Sequence, residues 1–202
     1  ATDTVNGFVE AWYDQSGNGN DATQTTATKQ PKIVESGSLV KDSSGTPAID
    51  WDNVDDNMNL TSDLIATGAY SIFAYHEMLP STMILKGNLN APAFRAQTGT
   101  KYRVSSYFPV VNADFTVSSS TKLVSVIKDS SHNGRLYADG TESSSGQLSI
   151  GAGGGAVANF NMLGAESSDG AGDGKLIELI FYESDQTLNR PAIEANLANQ
   201  YG

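Results

Sequence analysis

The stretch that decides the fold of this chain reads WYDQSGNGNDATQ over residues 12–24. An aromatic and β-branched segment at 8–13 leads into it and predicts a strand. Gly17 and Gly19 then alternate with asparagines, which tolerate positive φ and close turns with their own side chains. A short polar strand at 22–24 follows. The pattern predicts a rigid loop that positions the first strands at one edge of a β-sandwich.

Beyond this loop, short apolar segments alternate with turn-forming residues for most of the chain. Met58 and Leu60 share one face of a segment whose other face carries asparagines, which is the period of a strand. Together with the preceding segment from Pro47, they predict two strands joined by a tight turn. The nearly continuous apolar run at 123–127 is typical of a sheet centre.

Residues 189–201 form the one convincing helix of the sequence. Asn189 can cap it, and Pro191 lies in its first turn. An apolar face is formed at four-residue spacing by Ile193, Leu197 and Tyr201. About a dozen short strands followed by one helix predict a β-sandwich of jelly-roll type.

Length, charge and cysteine content narrow the class of protein. A chain of 202 residues fits a single domain spanning 1–202. The formal net charge of −11 argues against nucleic acid or an anionic membrane as partner, since both require a basic surface. Without cysteines, the chain has no disulfide and no thiolate metal site. Because it begins at Ala1, we expect it to be processed or excised from a longer chain.

Three segments together resemble one family of folds. Residues 12–24 resemble a segment of concanavalin A-like, laminin-G-like jelly rolls in phage structural and bacterial surface proteins. A related form occurs in the catalytic domain of fungal α-L-arabinofuranosidases. Residues 45–58 are similar to the G-x-PA-x-x-FDG-x-DD-x-L hairpin of that fold, and residues 174–202 to its closing strand and helix. The resemblance implies an all-β, antiparallel jelly-roll β-sandwich with one C-terminal helix.

Two departures from the enzymes of this superfamily argue against catalysis. The arabinofuranosidase pocket uses adjacent cysteines, and the laminarinase-type enzymes use an E-x-D-x-x-E strand; the sequence contains neither. Glu178 and Glu183 come nearest, but their odd separation places them on opposite faces of a strand. The sequence therefore favours a protein that is not an enzyme.

Two loops supply the hard oxygen ligands that Ca²⁺ prefers. The candidate metal ligands are Asp14, Asn18 and Asp21 in the first loop and Asp52, Asp55 and Asp56 in the second. A structural alternative is that Asp14 and the asparagines cap backbone N–H groups, while the second set only forms a turn.

A sugar site needs an aromatic platform with polar groups nearby. The candidate ligand-binding residues are Tyr75, His76, Arg103 and Tyr107. Strand alternation places Arg103 and Tyr107 on one face, which can receive a glycan if the sheet is concave there. The alternative is that each is an ordinary half-buried strand residue.

These observations predict a non-catalytic carbohydrate-recognition, adhesion or decoration module of a phage virion protein or a bacterial surface protein. The alternatives are a glycoside hydrolase or polysaccharide lyase of the same superfamily, and a purely structural virion domain. The expected partners are a glycan or host-surface polysaccharide and other virion or surface-protein subunits. The expected location is the virion surface, the cell surface or the extracellular medium.

Overall fold

The computed structural model describes residues 4–66, 68–78, 82–87, 93–98, 101–107, 110–116, 118, 122–131, 133–143, 148–149, 158–164 and 173–202. The strands, in chain order, are β1 Gly7–Phe8, β2 Ala11–Trp12, β3 Ala22–Thr23, β4 Lys32–Glu35, β5 Ser38–Leu39, β6 Ile49–Asp52, β7 Asn57–Ala66, β8 Tyr70–Met78, β9 Met83–Gly87, β10 Ala93–Thr98, β11 Lys101–Tyr107, β12 Val110–Thr116, β13 Leu123–Lys128, β14 Asn133–Ala138, β15 Thr141–Glu142, β16 Leu148–Ser149, β17 Ala158–Gly164 and β18 Asp173–Tyr182. A 3₁₀ turn covers Ala27–Lys29, and the helix α1 covers Arg190–Tyr201.

The strands form two antiparallel sheets that pack face to face. Sheet A has the order β1-β4-β6-β18-β8-β13-β14-β15, with β5 beside β4 and β16 beside β14. Sheet B has the order β12-β11-β10-β9-β17-β7-β3-β2. The predicted all-β antiparallel sandwich with a C-terminal helix is therefore confirmed. Strands β2 and β3, which flank the opening loop, lie at one edge of sheet B.

The core lies between the sheets and follows the alternation of the strands. In β8, Ile72 and Ala74 face sheet B, whereas Phe73 and Tyr75 face outward. All six residues of β13 are buried because the strand lies between β8 and β14 and is covered on both faces. The apolar run predicted for a sheet centre is therefore at a sheet centre.

Helix α1 covers the outer face of sheet A. Leu197 is only 2% exposed and packs with Ile193 and Tyr201 against the outward-facing residues of β8 and β13. The predicted apolar face of the helix is confirmed. Asn189 lies at the predicted N-cap position, but its side chain does not cap the helix, because its amide donates to Gln186 Oε1 instead. Within the described residues, no helix is both long and apolar enough to cross a membrane.

The segment from Pro47 to Leu60 is a corner between the sheets rather than a hairpin. Its first strand, β6, belongs to sheet A, and its second, β7, belongs to sheet B. Asn53 takes a positive φ of 60°, and Asp52 Oδ1 accepts a hydrogen bond from the Val54 amide at 2.8 Å. Asp56 Oδ2 accepts from the Asp52 amide at 3.0 Å, which fixes the corner. The expected pairing of these two strands is therefore wrong.

Candidate functional site

The opening loop is held together by Asp14. Its carboxylate accepts hydrogen bonds from the amide and hydroxyl of Ser16, both at 2.8 Å, and from the Asn20 amide at 3.0 Å. The bond from the Ser16 amide contributes most to holding the pKa of Asp14 below its ordinary value. Asp21 Oδ1 accepts from the Asp14 amide at 2.8 Å. Both carboxylates therefore have a structural role in the loop.

Two hydrogen bonds attach this loop to β7. The Thr61 hydroxyl donates to the Gly19 carbonyl at 2.7 Å, and the Thr61 amide donates to the Asp21 carbonyl at 2.8 Å. The loop is therefore held in a fixed position beside the edge of sheet B. Its position follows from the same residues that make its internal turn.

Strand β18 of sheet A has an open edge, and this edge lies across from the opening loop. It pairs with β8 from Gly174 to Tyr182, but its other neighbour, β6, ends its pairing at Leu176. Among the described strands, none pairs with residues 177–182 on that side. Alternate N–H and C=O groups of this edge therefore point away from the sheet and are available to a ligand.

A cleft of about 890 Å³ lies between the opening loop and this open edge. Small-molecule sites typically occupy roughly 300–1,000 Å³, so the cleft has the size of a ligand site. Apolar side chains from both sheets line it, and they include Leu60, Leu64, Leu163, Leu179 and Phe181. Polar side chains also line it, and they include Asp14, Gln15, Asp63, Glu178, Glu183 and Gln200.

Besides Phe181, three aromatic side chains line the cleft. Trp12 is half-buried and packs against the sandwich core, which fixes its ring. Tyr13 is 66% exposed, so its ring can meet a ligand without rearrangement of the fold. Tyr201 is the last residue of α1. These rings give the cleft apolar faces next to its polar groups.

A hydrogen bond between Tyr201 and Glu178 joins α1 to the open edge of β18. The Tyr201 hydroxyl donates to Glu178 Oε2 at 2.5 Å, and Gln200 Nε2 donates to the same hydroxyl at 2.9 Å. Burial, and then the bond to Glu178, raise the pKa of Tyr201 to about 12. Tyr201 is therefore neutral at physiological pH and holds the Glu178 carboxylate in place.

The predicted ligand residues do not come together on one open surface. Tyr75 is 4% exposed beneath α1, with its ring centre 5.3 Å from that of Tyr201. His76 is completely buried between the sheets, with Nε2 3.0 Å from the Tyr102 hydroxyl, and burial lowers its pKa to about 3. Arg103 is half-buried in β11, and the side chain of Tyr107 lies outside the described residues. The helix and the sandwich thus shield Tyr75 and His76 from any ligand.

The second predicted metal loop brings three carboxylates together at the corner between the sheets. One oxygen from each of Asp52, Asp55 and Asp56 lies within 4.8 Å of the others. Asp56 is only 4% exposed; burial, and next the charge of Asp52, raise its pKa to about 7. A divalent cation would offset both effects. Calcium binding at this corner stays a prediction.

Asp56 is expected to make the protein less stable as the pH rises from about 4 to about 8. Its pKa rises from about 3.9 in the unfolded chain to about 7 in the fold, so the folded state holds the proton more tightly. The stabilisation is complete below the unfolded pKa and is lost as the pH passes through the folded pKa. The shift corresponds to at most about 4 kcal/mol.

The measurement is the free energy of unfolding of the wild type and of Asp56→Asn in EDTA across this pH range. Asparagine retains an acceptor for the Asp52 amide but does not titrate. We expect the variant to gain stability relative to the wild type as the pH rises. His76 acts in the opposite direction, because burial lowers its pKa, but its effect cancels in the difference. A difference that is constant with pH would contradict the assignment.

Calcium is expected to raise the melting temperature at pH 8 above its value in EDTA. The ion would bind the ionised carboxylates of the corner and would thereby stabilise the folded state. The thermal melts of the wild type and of Asp56→Asn are compared with and without calcium. If calcium no longer raises the melting temperature of the variant, the ion binds at the corner. If calcium still raises it, the ion binds at the loop of Asp14. An unchanged wild-type melt would reject both.

The sequence contained a signal for part of the cleft. The sequence pattern predicts a role for Trp12 and Tyr13 in the fold alone, and it indicates no role for Asp63. That signal is the pair of adjacent aromatic residues directly before a glycine-asparagine loop. The sequence contains no such signal for the β18 side of the cleft, because the open edge of β18 depends on where β6 ends its pairing.

Comparison with known proteins gives the fold but not a family. No family model matches the chain, and no curated protein sequence matches it. It is similar to a solved GH54 α-L-arabinofuranosidase, with 12% identity and a TM-score of 0.64 over 95% of this chain and 50% of that chain. This chain has a lectin-like β-sandwich fold.

Two toxin structures are also similar to this lectin-like sandwich. The binding domain of Paraclostridial Mosquitocidal Protein 1 has 13% identity and a TM-score of 0.62, over 94% of this chain and 51% of that chain. The binding domain of botulinum neurotoxin DC in complex with SialylT has 8% identity and a TM-score of 0.57, over the same shares. The chain thus spans about half the length of these structures.

Proposed function

We propose that this chain is a non-catalytic carbohydrate-binding module whose ligand lies in the cleft between the opening loop and the open edge of β18. The observation that carries the proposal is that this one cleft combines fixed aromatic rings, acceptor side chains and an unpaired strand edge. A sugar can use all three kinds of group at once, because it has an apolar C–H face and hydroxyls that both donate and accept.

Each kind of group matches one part of a sugar. The C–H face of a pyranose packs on an aromatic ring such as those of Trp12 and Tyr13. Sugar hydroxyls both donate and accept hydrogen bonds. The carboxylates and amides that line the cleft accept them, and the exposed N–H groups of residues 177–182 donate. The apolar side chains between the sheets exclude water from the deeper part of the cleft.

The fold comparison supports this proposal without assigning it, since lectin-like sandwiches include toxin domains that bind glycans. We extend the proposal to an adhesion or decoration role on a phage virion or a bacterial surface, as the resemblance of residues 12–24 implies. A host-surface polysaccharide and neighbouring subunits would then be its partners, outside the cell or on the virion.

A glycoside hydrolase is the second candidate, because four carboxylates line the cleft: Asp14, Asp63, Glu178 and Glu183. Two considerations favour binding over hydrolysis. Glu178 and Glu183 are five residues apart along an extended segment, about 16 Å, whereas glycosidase pairs lie roughly 5–10 Å apart. Asp14 already accepts several hydrogen bonds within its own loop. Release of reducing sugar by the wild type, abolished in Asp63→Asn or Glu178→Gln, would instead support the hydrolase.

Tyr13→Ala is expected to weaken glycan binding about 5- to 10-fold, because a stacked aromatic contact contributes roughly 1–1.5 kcal/mol. Tyr13 is exposed, so the fold should be unaffected. A glycan array identifies the ligand, and titration calorimetry then compares the variant with the wild type, for which we expect affinities near millimolar.

The matched control is Phe8→Ala, which removes an aromatic residue that is 48% exposed in β1 and does not line the cleft. It should bind as the wild type does. Equal weakening in both variants would contradict the location of the site. If the wild type bound nothing on the array, a purely structural virion domain would replace this proposal.

A further inference from the structure

We infer that the cleft selects sugars by charge: it takes amino sugars in preference to neutral sugars and rejects acidic glycans. This inference rests on the proposed function and names the ligand class of the same cleft. It follows from the distribution of charged side chains, which is one-sided within the cleft.

The charged side chains of the cleft are all acidic. Asp14, Asp63, Glu178 and Glu183 line it. All twelve lysine and arginine residues of the chain fall within the described residues, and none of them lines the cleft. A charged ligand therefore meets four carboxylates and no basic side chain.

Several of the basic side chains are held by acids elsewhere in the molecule. Lys122 Nζ lies 2.9 Å from Asp42 Oδ2, and Lys32 Nζ lies 2.8 Å from Glu35 Oε1. Arg135 pairs with Glu142, and Arg190 pairs with Glu194 within α1. These pairs would have to break before any of those side chains could compensate an acidic ligand in the cleft.

The carboxylates of the cleft are placed to interact with a ligand. Asp63 and Glu183 are exposed, so their oxygens are free to rotate toward a bound amine. Glu178 is held by the neutral hydroxyl of Tyr201, which leaves its negative charge uncompensated. Asp14 retains its charge because it accepts only from neutral groups of the loop. An ammonium group would form charge-assisted hydrogen bonds here, and a ligand carboxylate would be repelled.

The experiment compares oligosaccharides of one length that differ in charge. Chitosan oligosaccharides carry amines, chitin oligosaccharides carry the neutral acetamides, and oligogalacturonate carries carboxylates. Titration calorimetry is performed in a mildly acidic buffer, in which the amines are protonated. We expect chitosan to bind about 5-fold more tightly than chitin, with a preference that diminishes at high salt, and oligogalacturonate not to bind.

Variants separate the cleft from the net negative charge of the protein. Asp63→Asn and Glu183→Gln should each weaken chitosan binding more than chitin binding, because the amide retains a hydrogen-bond acceptor for a sugar hydroxyl but loses the charge that attracts the amine. The control is Glu142→Gln, which removes the same charge from the edge strand β15, outside the cleft lining. It should leave the preference intact.

The outcomes distinguish this inference from the proposed function. Equal affinity for chitosan and chitin, or binding of oligogalacturonate, would overturn the charge selection and leave the glycan-binding proposal standing. A preference reduced equally by Glu142→Gln would mean that chitosan senses only the overall charge, and this also overturns the inference. If no oligosaccharide bound, and the glycan array were also empty, the proposed function itself would fall.

Discussion

Replacing Leu197 by alanine is expected to lower the free energy of unfolding by about 2–5 kcal/mol, as is usual when a buried leucine is truncated in a core. Leu197 is 2% exposed and is the central contact of α1 with the outer face of sheet A, against residues such as Phe73 and Ile127. Urea denaturation measures the loss. The matched control is Leu188→Ala, since Leu188 is 94% exposed just before the helix and should contribute almost nothing.

The same substitution should also weaken glycan binding. Helix α1 carries Gln200 and Tyr201 to the cleft, and Tyr201 in turn holds Glu178. When the helix is less firmly docked, Gln200, Tyr201 and Glu178 are less well ordered, and we expect affinity to fall in conditions where the variant is still folded. Equal stability of the two leucine variants would contradict the packing described for α1.

Gly164→Ala is expected to destabilise the fold by about 2–5 kcal/mol. Gly164 ends β17 with a φ of 69°, a conformation that costs an alanine roughly 1–2 kcal/mol. A methyl group there would lie 2.8 Å from the Asp56 carbonyl oxygen and 3.0 Å from the Trp51 ring. Both belong to the corner between the sheets, so relief of the clash would distort that corner.

Gly45→Ala is the matched control for this substitution. Gly45 also has a positive φ, of 91°, but a methyl group there would meet no atom within 4 Å. The Gly45→Ala variant is therefore destabilised only by the unfavourable backbone conformation. The difference in free energy of unfolding between the two variants measures the steric part, which we expect to be about 1–3 kcal/mol. Equal destabilisation would show that the contact with Asp56 and Trp51 is tolerated.

Local signals in the sequence were sufficient where a segment determines its own structure. The loop at 13–21 is closed by hydrogen bonds between its own residues, so its glycines and asparagines could be interpreted correctly. Helix α1 likewise reveals its buried face through the four-residue spacing of Ile193, Leu197 and Tyr201. The corner at 47–60 could not be predicted, because its turn residues and alternation fit a hairpin equally well. Only the sheet that each strand joins distinguishes the two.

The candidate site could be predicted only in part, for a similar reason. Alternation shows which residues share a face but not what covers that face. Tyr75 points outward and is covered by α1, and His76 points inward and is enclosed by sheet B. The cleft requires segments that are distant in the chain: the opening loop, β7, β17, β18 and the end of α1. Its open edge exists because the pairing of β6 stops at Leu176, and pairing lengths are not encoded by residue type.

The position at which a sugar binds is the decisive measurement for the proposed site. The chain contains two tryptophans, Trp12 in the cleft and Trp51 buried in the core, so a nitrogen–proton NMR spectrum offers one indole reporter and one internal control. On titration with the glycan found on the array, we expect shifts of the Trp12 indole and of the backbone amides at 177–182, with the Trp51 indole unchanged. Shifts centred on Arg103 in sheet B, with Trp12 and residues 177–182 unmoved, would contradict it.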